Sequence, residues 1–175
     1  YAITRSVKLR PDVETERAQL SRAMRHLVDL GAVESAWDLY SGSIGVANLP
    51  LVRNGDFEAE PSLMPFDWLI RQAEEGRLVR AEGNNGGNML SFVNTSPADG
   101  ATQIVRLGQG PHQLMAIFGA IPAETVARPT LSATCVGPAG KVLAQIVPAA
   151  GAAAKRALAA CDVRADCRFI RLSID

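Results

Sequence analysis

The chain has 175 residues, enough for one domain with a small appendage. Eighteen basic and eighteen acidic residues leave no net charge, which excludes the basic footprint of a nucleic-acid binder. With 47% hydrophobic residues the composition also excludes an acidic disordered chain.

The first residue is Tyr1 and not Met, as expected of a processed product or a piece of a longer protein. The composition shifts near residue 48. One proline precedes that point and nine follow it, together with most of the glycines. This predicts a small helical unit over 1–48 and an all-β unit over 49–175.

In the first unit Asp12 can cap a helix. Val13, Arg17, Leu20, Met24, Leu27 and Val28 then recur at three- and four-residue spacing, one face of a helix that Gly31 ends. Val33, Ala36, Trp37 and Tyr40 predict a second helix from Val33 to Tyr40, closed by Ser41, Gly42 and Gly45.

After residue 48 short apolar runs alternate with turn residues. They predict strands at Leu49–Val52, Phe66–Gln72, Arg77–Glu82, Asn88–Val93 and Thr102–Leu107. Further strands are expected at His112–Ile121, Thr130–Val136, Lys141–Val147, Ala157–Val163 and Arg168–Ile174. Leu114, Ala116 and Phe118 oppose Gln113 and Met115; Phe169, Arg171 and Ser173 oppose Ile170, Leu172 and Ile174. The expected fold class is mostly β, a two-sheet jelly-roll sandwich preceded by a helical hairpin. The longest apolar run, Val147 to Ala154, is broken by Pro148. It is far shorter than the ~18 residues of a membrane helix, so no membrane span is expected.

Catalytic patterns are scarce. Gly42-Ser43-Ile44-Gly45 lacks the strand–turn–helix setting of a nucleophile elbow. His112 follows a Gly-Pro turn and His26 lies on a helix face, both structural placements. Gly83 to Asn88 is glycine-rich without the lysine and helix of a phosphate loop. Its Asn84, Asn85 and Asn88 can bond hydroxyl groups. Arg71, Asn88, Gln103, Arg106 and Gln113 are the polar candidates at alternating strand positions. Aromatic rings, which stack on sugar faces, are few after residue 48: Phe57, Phe66, Trp68, Phe92, Phe118 and Phe169. Trp68 is expected in the core. Three cysteines without a CxxC are too few for a disulfide scaffold and wrongly spaced for zinc.

The run Leu51-Val52-Arg53-Asn54-Gly55-Asp56-Phe57-Glu58, followed by Pro65-Phe66-Asp67-Trp68, resembles the opening of galactose-binding-like jelly-roll domains, the fold of many carbohydrate-binding modules. The resemblance spans about residues 49–175. It implies a structural calcium held by Glu58 and Asp175, with Asp56 in reserve. It also implies a late disulfide, Cys135–Cys167; the residues alone leave Cys161–Cys167 or three reduced thiols open. Met24, Leu27, Gly31, Val33, Ala36 and Tyr40 resemble the packing positions of one tetratricopeptide repeat. Such a hairpin either caps an array or packs on the β unit.

Together these imply a non-catalytic binding module of a bacterial envelope, periplasmic or secreted protein. Its expected partner is an envelope or exported polysaccharide, bound through Arg71, Asn84, Asn85, Asn88, Gln103 and Arg106. The alternative is a protein–protein interaction or scaffolding domain.

Overall fold

The computed structural model describes residues 9–45, 50–71, 77–82, 87–93, 100–125, 128–137 and 140–175. For 77–82, 88 and 91–93 it describes the backbone alone. Two helices come first, α1 (Glu14–Asp29) and α2 (Val33–Ile44). Leu20, Ser21 and Met24 of α1 and Ala36 and Tyr40 of α2 are buried, on the faces the apolar spacing predicts.

Asp12 does not cap α1. Val13 occupies the N-cap without a side-chain bond. The carboxylate of Glu16, one turn in, instead reaches back to accept the Arg10 amide and pairs with the Arg10 guanidinium at 2.9 Å. A first-turn glutamate can bond a donor that precedes the helix, so a separate cap residue is not needed. α1 ends in a Schellman turn: Gly31, at φ +78°, donates to Val28 O, and Ala32 donates to Leu27 O. α2 runs past Tyr40 to Ile44, and the hydroxyls of Ser41 and Ser43 donate to carbonyls of their own helix, Asp38 O and Leu39 O, without ending it. It stops at Gly45, at φ +70°.

Nine strands follow among the described residues: β1 (Leu69–Arg71), β2 (Arg77–Glu82), β3 (Asn88–Val93), β4 (Gly100–Arg106), β5 (Gly110–Phe118), β6 (Leu131–Cys135), β7 (Val142–Ile146), β8 (Lys155–Val163) and β9 (Phe169–Ile174). Five form one sheet in the order β1-β4-β9-β6-β7, while β2-β3 and β5-β8 form separate ladders. Every pairing is antiparallel.

Two expected strands change. Leu51 and Val52 lie in a bend, with Leu51 63% exposed; the side chain that would anchor a strand there faces solvent. The stretch predicted as Phe66–Gln72 is reduced to β1. The amides of Phe66 and Asp67 both turn back to Leu63 O, so no ladder can use them.

The five-stranded sheet buries its inner face and part of its outer face. Ala101, Val105, Ala133, Ala144, Ile170 and Leu172 join Cys161 and Val163 of β8 in one core, with Leu114 and Leu90 packed against it. On the opposite face Ile104 and Phe169 meet Leu20, Met24, Ala36 and Tyr40 of the helices. The helical hairpin thus packs on the sheet, and the described architecture is strands in facing layers, consistent with a β-sandwich, with two helices on its outer side. A disulfide joins Cys135 to Cys167, Cα atoms 5.5 Å apart, tying the end of β6 to the turn before β9. Cys161 is a buried free thiol. No helix among the described residues is long and apolar enough to cross a membrane.

Candidate functional site

The segment between α2 and β1 is held by polar bonds where the expected strand is missing. Asn54, at φ +48°, bonds both backbone groups of Ala59 with its amide. Its carbonyl accepts the Phe57 amide and the Trp68 indole N–H, the latter at 3.1 Å. Phe57 also lies in the left-handed region, at φ +58°, and its ring packs 5.4 Å from that of Trp68. Trp68 is buried.

A cluster of polar groups lies beneath this loop. Asp67 is 1% exposed and accepts bonds from Ser62 N, Ser62 Oγ and Trp68 N. The Arg53 guanidinium stands 3.5 Å from Asp67 and donates to the Tyr40 hydroxyl at 3.3 Å. Burial pushes the Tyr40 phenol upward, and Arg53 opposes that rise. Ser21 Oγ donates to Ser62 O at 2.9 Å, so α1, α2, the loop and the sheet meet here. The cluster is a structural joint whose members already occupy one another.

A different arrangement lies between α1 and the outer face of the sheet. There a groove of about 580 Å³ is lined by Arg22, Arg25 and His26 of α1, Arg71 of β1 and Arg171 of β9. Arg22, Arg25, His26 and Asp29 stand at i, i+3, i+4 and i+7, one side of the helix. The register explains the floor. Leu69 pairs with Thr102 and Thr102 with Ser173, a row across three strands. Arg71 lies two residues along β1 and Arg171 two along β9, on the same face because side chains alternate. Asp29 and Asp175 also line the groove. Among the described residues none of the four arginines has a carboxylate within ion-pair distance.

The candidates separate. Arg71 lies in the groove. Arg106 stands at the other end of β4, over the rings of Trp37 and Phe169 at 5.7 and 5.8 Å and 3.7 Å from Glu34. Arg168 joins the same glutamate at 3.3 Å, so Arg106 clamps α2 to the sheet. Gln103 shares the inner face of β4 with Ala101 and Val105 and is fully buried. Its amide donates to the Arg53 carbonyl at 2.9 Å. Asn84 and Asn85 lie outside the described residues, as does the side chain of Asn88. Gln113 is exposed on the far side of β5. His112 bonds Gly108 O at 2.8 Å.

The calcium expectation requires six to eight oxygens. Glu58 lies beside Gly87, and Asp175 beside Gly100. No three His, Cys, Asp or Glu side chains converge among the described residues.

Sequence reasoning passed over Arg22, Arg25, His26 and Arg171. The signal available was the polar stripe on α1. What joins it to Arg71 and Arg171 is the docking of the helix on the sheet, which no local pattern announces. No protein-family model matches the chain, and no curated protein matches it.

Proposed function

We propose that the protein is a non-catalytic binding module whose ligand lies in the groove between α1 and the five-stranded sheet. The observation that carries this reading is the groove itself: arginines of three elements and the hydroxyls of Thr102 and Ser173 line it. Guanidinium and hydroxyl groups suit a hydroxyl-rich, extended ligand, and an envelope or exported polysaccharide is the class the galactose-binding-like resemblance implies. The jelly-roll assignment is part of the same proposal. The Cys135–Cys167 disulfide supports an oxidising compartment, periplasmic or extracellular. A panel of neutral and charged polysaccharides, measured by calorimetry, tests the reading. Binding to at least one, weakened by substitutions in the groove, is expected; no binding to any member overturns it.

The alternative, a protein–protein interaction domain, is favoured by one observation. On the outer side of β5–β8, Met115, Ile117 and Leu158 are 51%, 79% and 50% exposed, and Met115 and Leu158 face each other in register. Self-association at micromolar concentration, lost on Ile117→Glu, would support it.

A further inference from the structure

The geometry points to a polyanion of low charge density, a carboxylate-bearing polysaccharide, as the ligand of the groove. This deepens the binding-module reading and rests on it.

Four guanidinium groups repel one another. Several arginines elsewhere in the chain relieve their charge through carboxylates: Arg10 pairs with Glu16, and Arg106 and Arg168 share Glu34. Arg22, Arg25, Arg71 and Arg171 have no such partner among the described residues. They nevertheless converge from α1, β1 and β9 on one groove. A guanidinium presents two parallel donors that match a carboxylate. Arginines on both walls can engage successive acidic groups along one chain.

The floor argues for a saccharide. Thr102 and Ser173, paired in register, place two neutral hydroxyls between Arg71 and Arg171. Sugar hydroxyls meet such groups; a fully charged phosphate chain does not need them. Asp29 and Asp175 also line the groove and would repel a dense line of charges. The chain as a whole has no net charge, so attraction to any polyanion is confined to the local field of the groove. Among the described residues no Phe, Tyr or Trp lines the groove, so a neutral sugar lacks the large stacking platform it usually uses.

The test uses the whole chain with polygalacturonate, the same polymer after carboxyl reduction, heparin, and a DNA duplex. Polygalacturonate is expected to bind, and to weaken about tenfold when salt rises from roughly 50 to 300 mM, as screened charge contacts do. The reduced polymer is expected to bind at least about tenfold more weakly, one power of ten in the dissociation constant. Arg71→Glu/Arg171→Glu is expected to weaken polygalacturonate binding by a similar factor. The charge-matched control Lys155→Glu/Arg156→Glu, on exposed positions of β8, is expected to leave it unchanged. Because Arg71 and Arg171 are exposed, both double variants should melt as the parent does. Equal binding of the reduced polymer overturns the polyanion inference and leaves the binding module standing. Equal loss in both double variants, or tighter binding of heparin or DNA, also overturns it. Failure of every polymer overturns both readings.

Discussion

Gln103 and Arg53, fifty positions apart in the chain, are joined by one half-buried hydrogen bond from the Gln103 side-chain amide to the Arg53 carbonyl. Among the described residues the Gln103 Oε1 has no partner. The residue thus satisfies a loop carbonyl with one end and leaves a desolvated carbonyl at the other. Gln103→Leu removes both. It leaves only the Arg53 carbonyl orphaned and should cost about 1 kcal/mol. Gln103→Ala adds a cavity and should cost about 3 kcal/mol. Gln103→Glu buries a carboxylate against a carbonyl and should be worse than either. Urea unfolding ranks the three. A leucine variant less stable than the alanine variant would contradict this account.

Asp67 carries the same joint from the other side. It accepts three hydrogen bonds and faces Arg53 at 3.5 Å. Asp67→Ala strands the Trp68 and Ser62 amides and leaves Arg53 without its ion-pair partner. A cost of about 3 kcal/mol is expected, since breaking a buried pair exceeds the loss of an exposed one. Asp67→Asn keeps the shape and one acceptor, and should recover about half. Chemical denaturation of the two variants measures this; equal stabilities would refute it.

How much of this was legible beforehand depends on the range of the forces involved. The alternation of Phe169, Arg171 and Ser173 against Ile170, Leu172 and Ile174 is local, and the structure separates the two sets onto opposite faces of β9. The helical faces of Leu20, Met24, Ala36 and Tyr40 were legible for the same reason. That part of the outer face is dry as well was not. It depends on the hairpin docking over Ile104 and Phe169, a tertiary event. The same docking turns Arg106 into a clamp and gathers the groove arginines. Gln103 lies on the inner face with Ala101 and Val105, and its partner there is the Arg53 carbonyl of a loop fifty positions away, which no local pattern announces. The loop at Leu51 read as a strand because its apolar residues outweighed the polar bonds that Arg53, Asn54 and Asp67 make at long range.

Tyr40 predicts an alkaline limit. Burial raises its phenol above the ordinary value. The unfolded chain therefore loses that proton first, near pH 10, while the folded chain keeps it. Below that value the contribution to stability is fully present, and it is lost as pH rises through the folded pKa. Stability should decline above about pH 10, and Tyr40→Phe should flatten that decline. The same substitution removes the bond from Arg53, costing about 1 kcal/mol at neutral pH. Melting curves at stepped alkaline pH separate the two effects; an unchanged alkaline slope in the phenylalanine variant would argue against the role.

The disulfide supplies a final prediction. Cys135 and Cys167 close a loop of 32 residues, and the link should contribute about 3–4 kcal/mol, chiefly by restricting the unfolded chain. Urea unfolding with and without reductant should differ by that amount, and Cys135→Ser/Cys167→Ser should match the reduced protein. Cys161 stays out of this exchange in the native state. It is 4% exposed, and burial together with the charge of Asp162 pushes its thiol upward, so little thiolate is present at neutral pH. Alkylation of the folded, oxidised protein should be slow and should mark Cys161 only once the chain unfolds. Rapid labelling of Cys161 under native conditions would mean that β8 opens from the sheet far more readily than its pairing with β5 along nine positions implies.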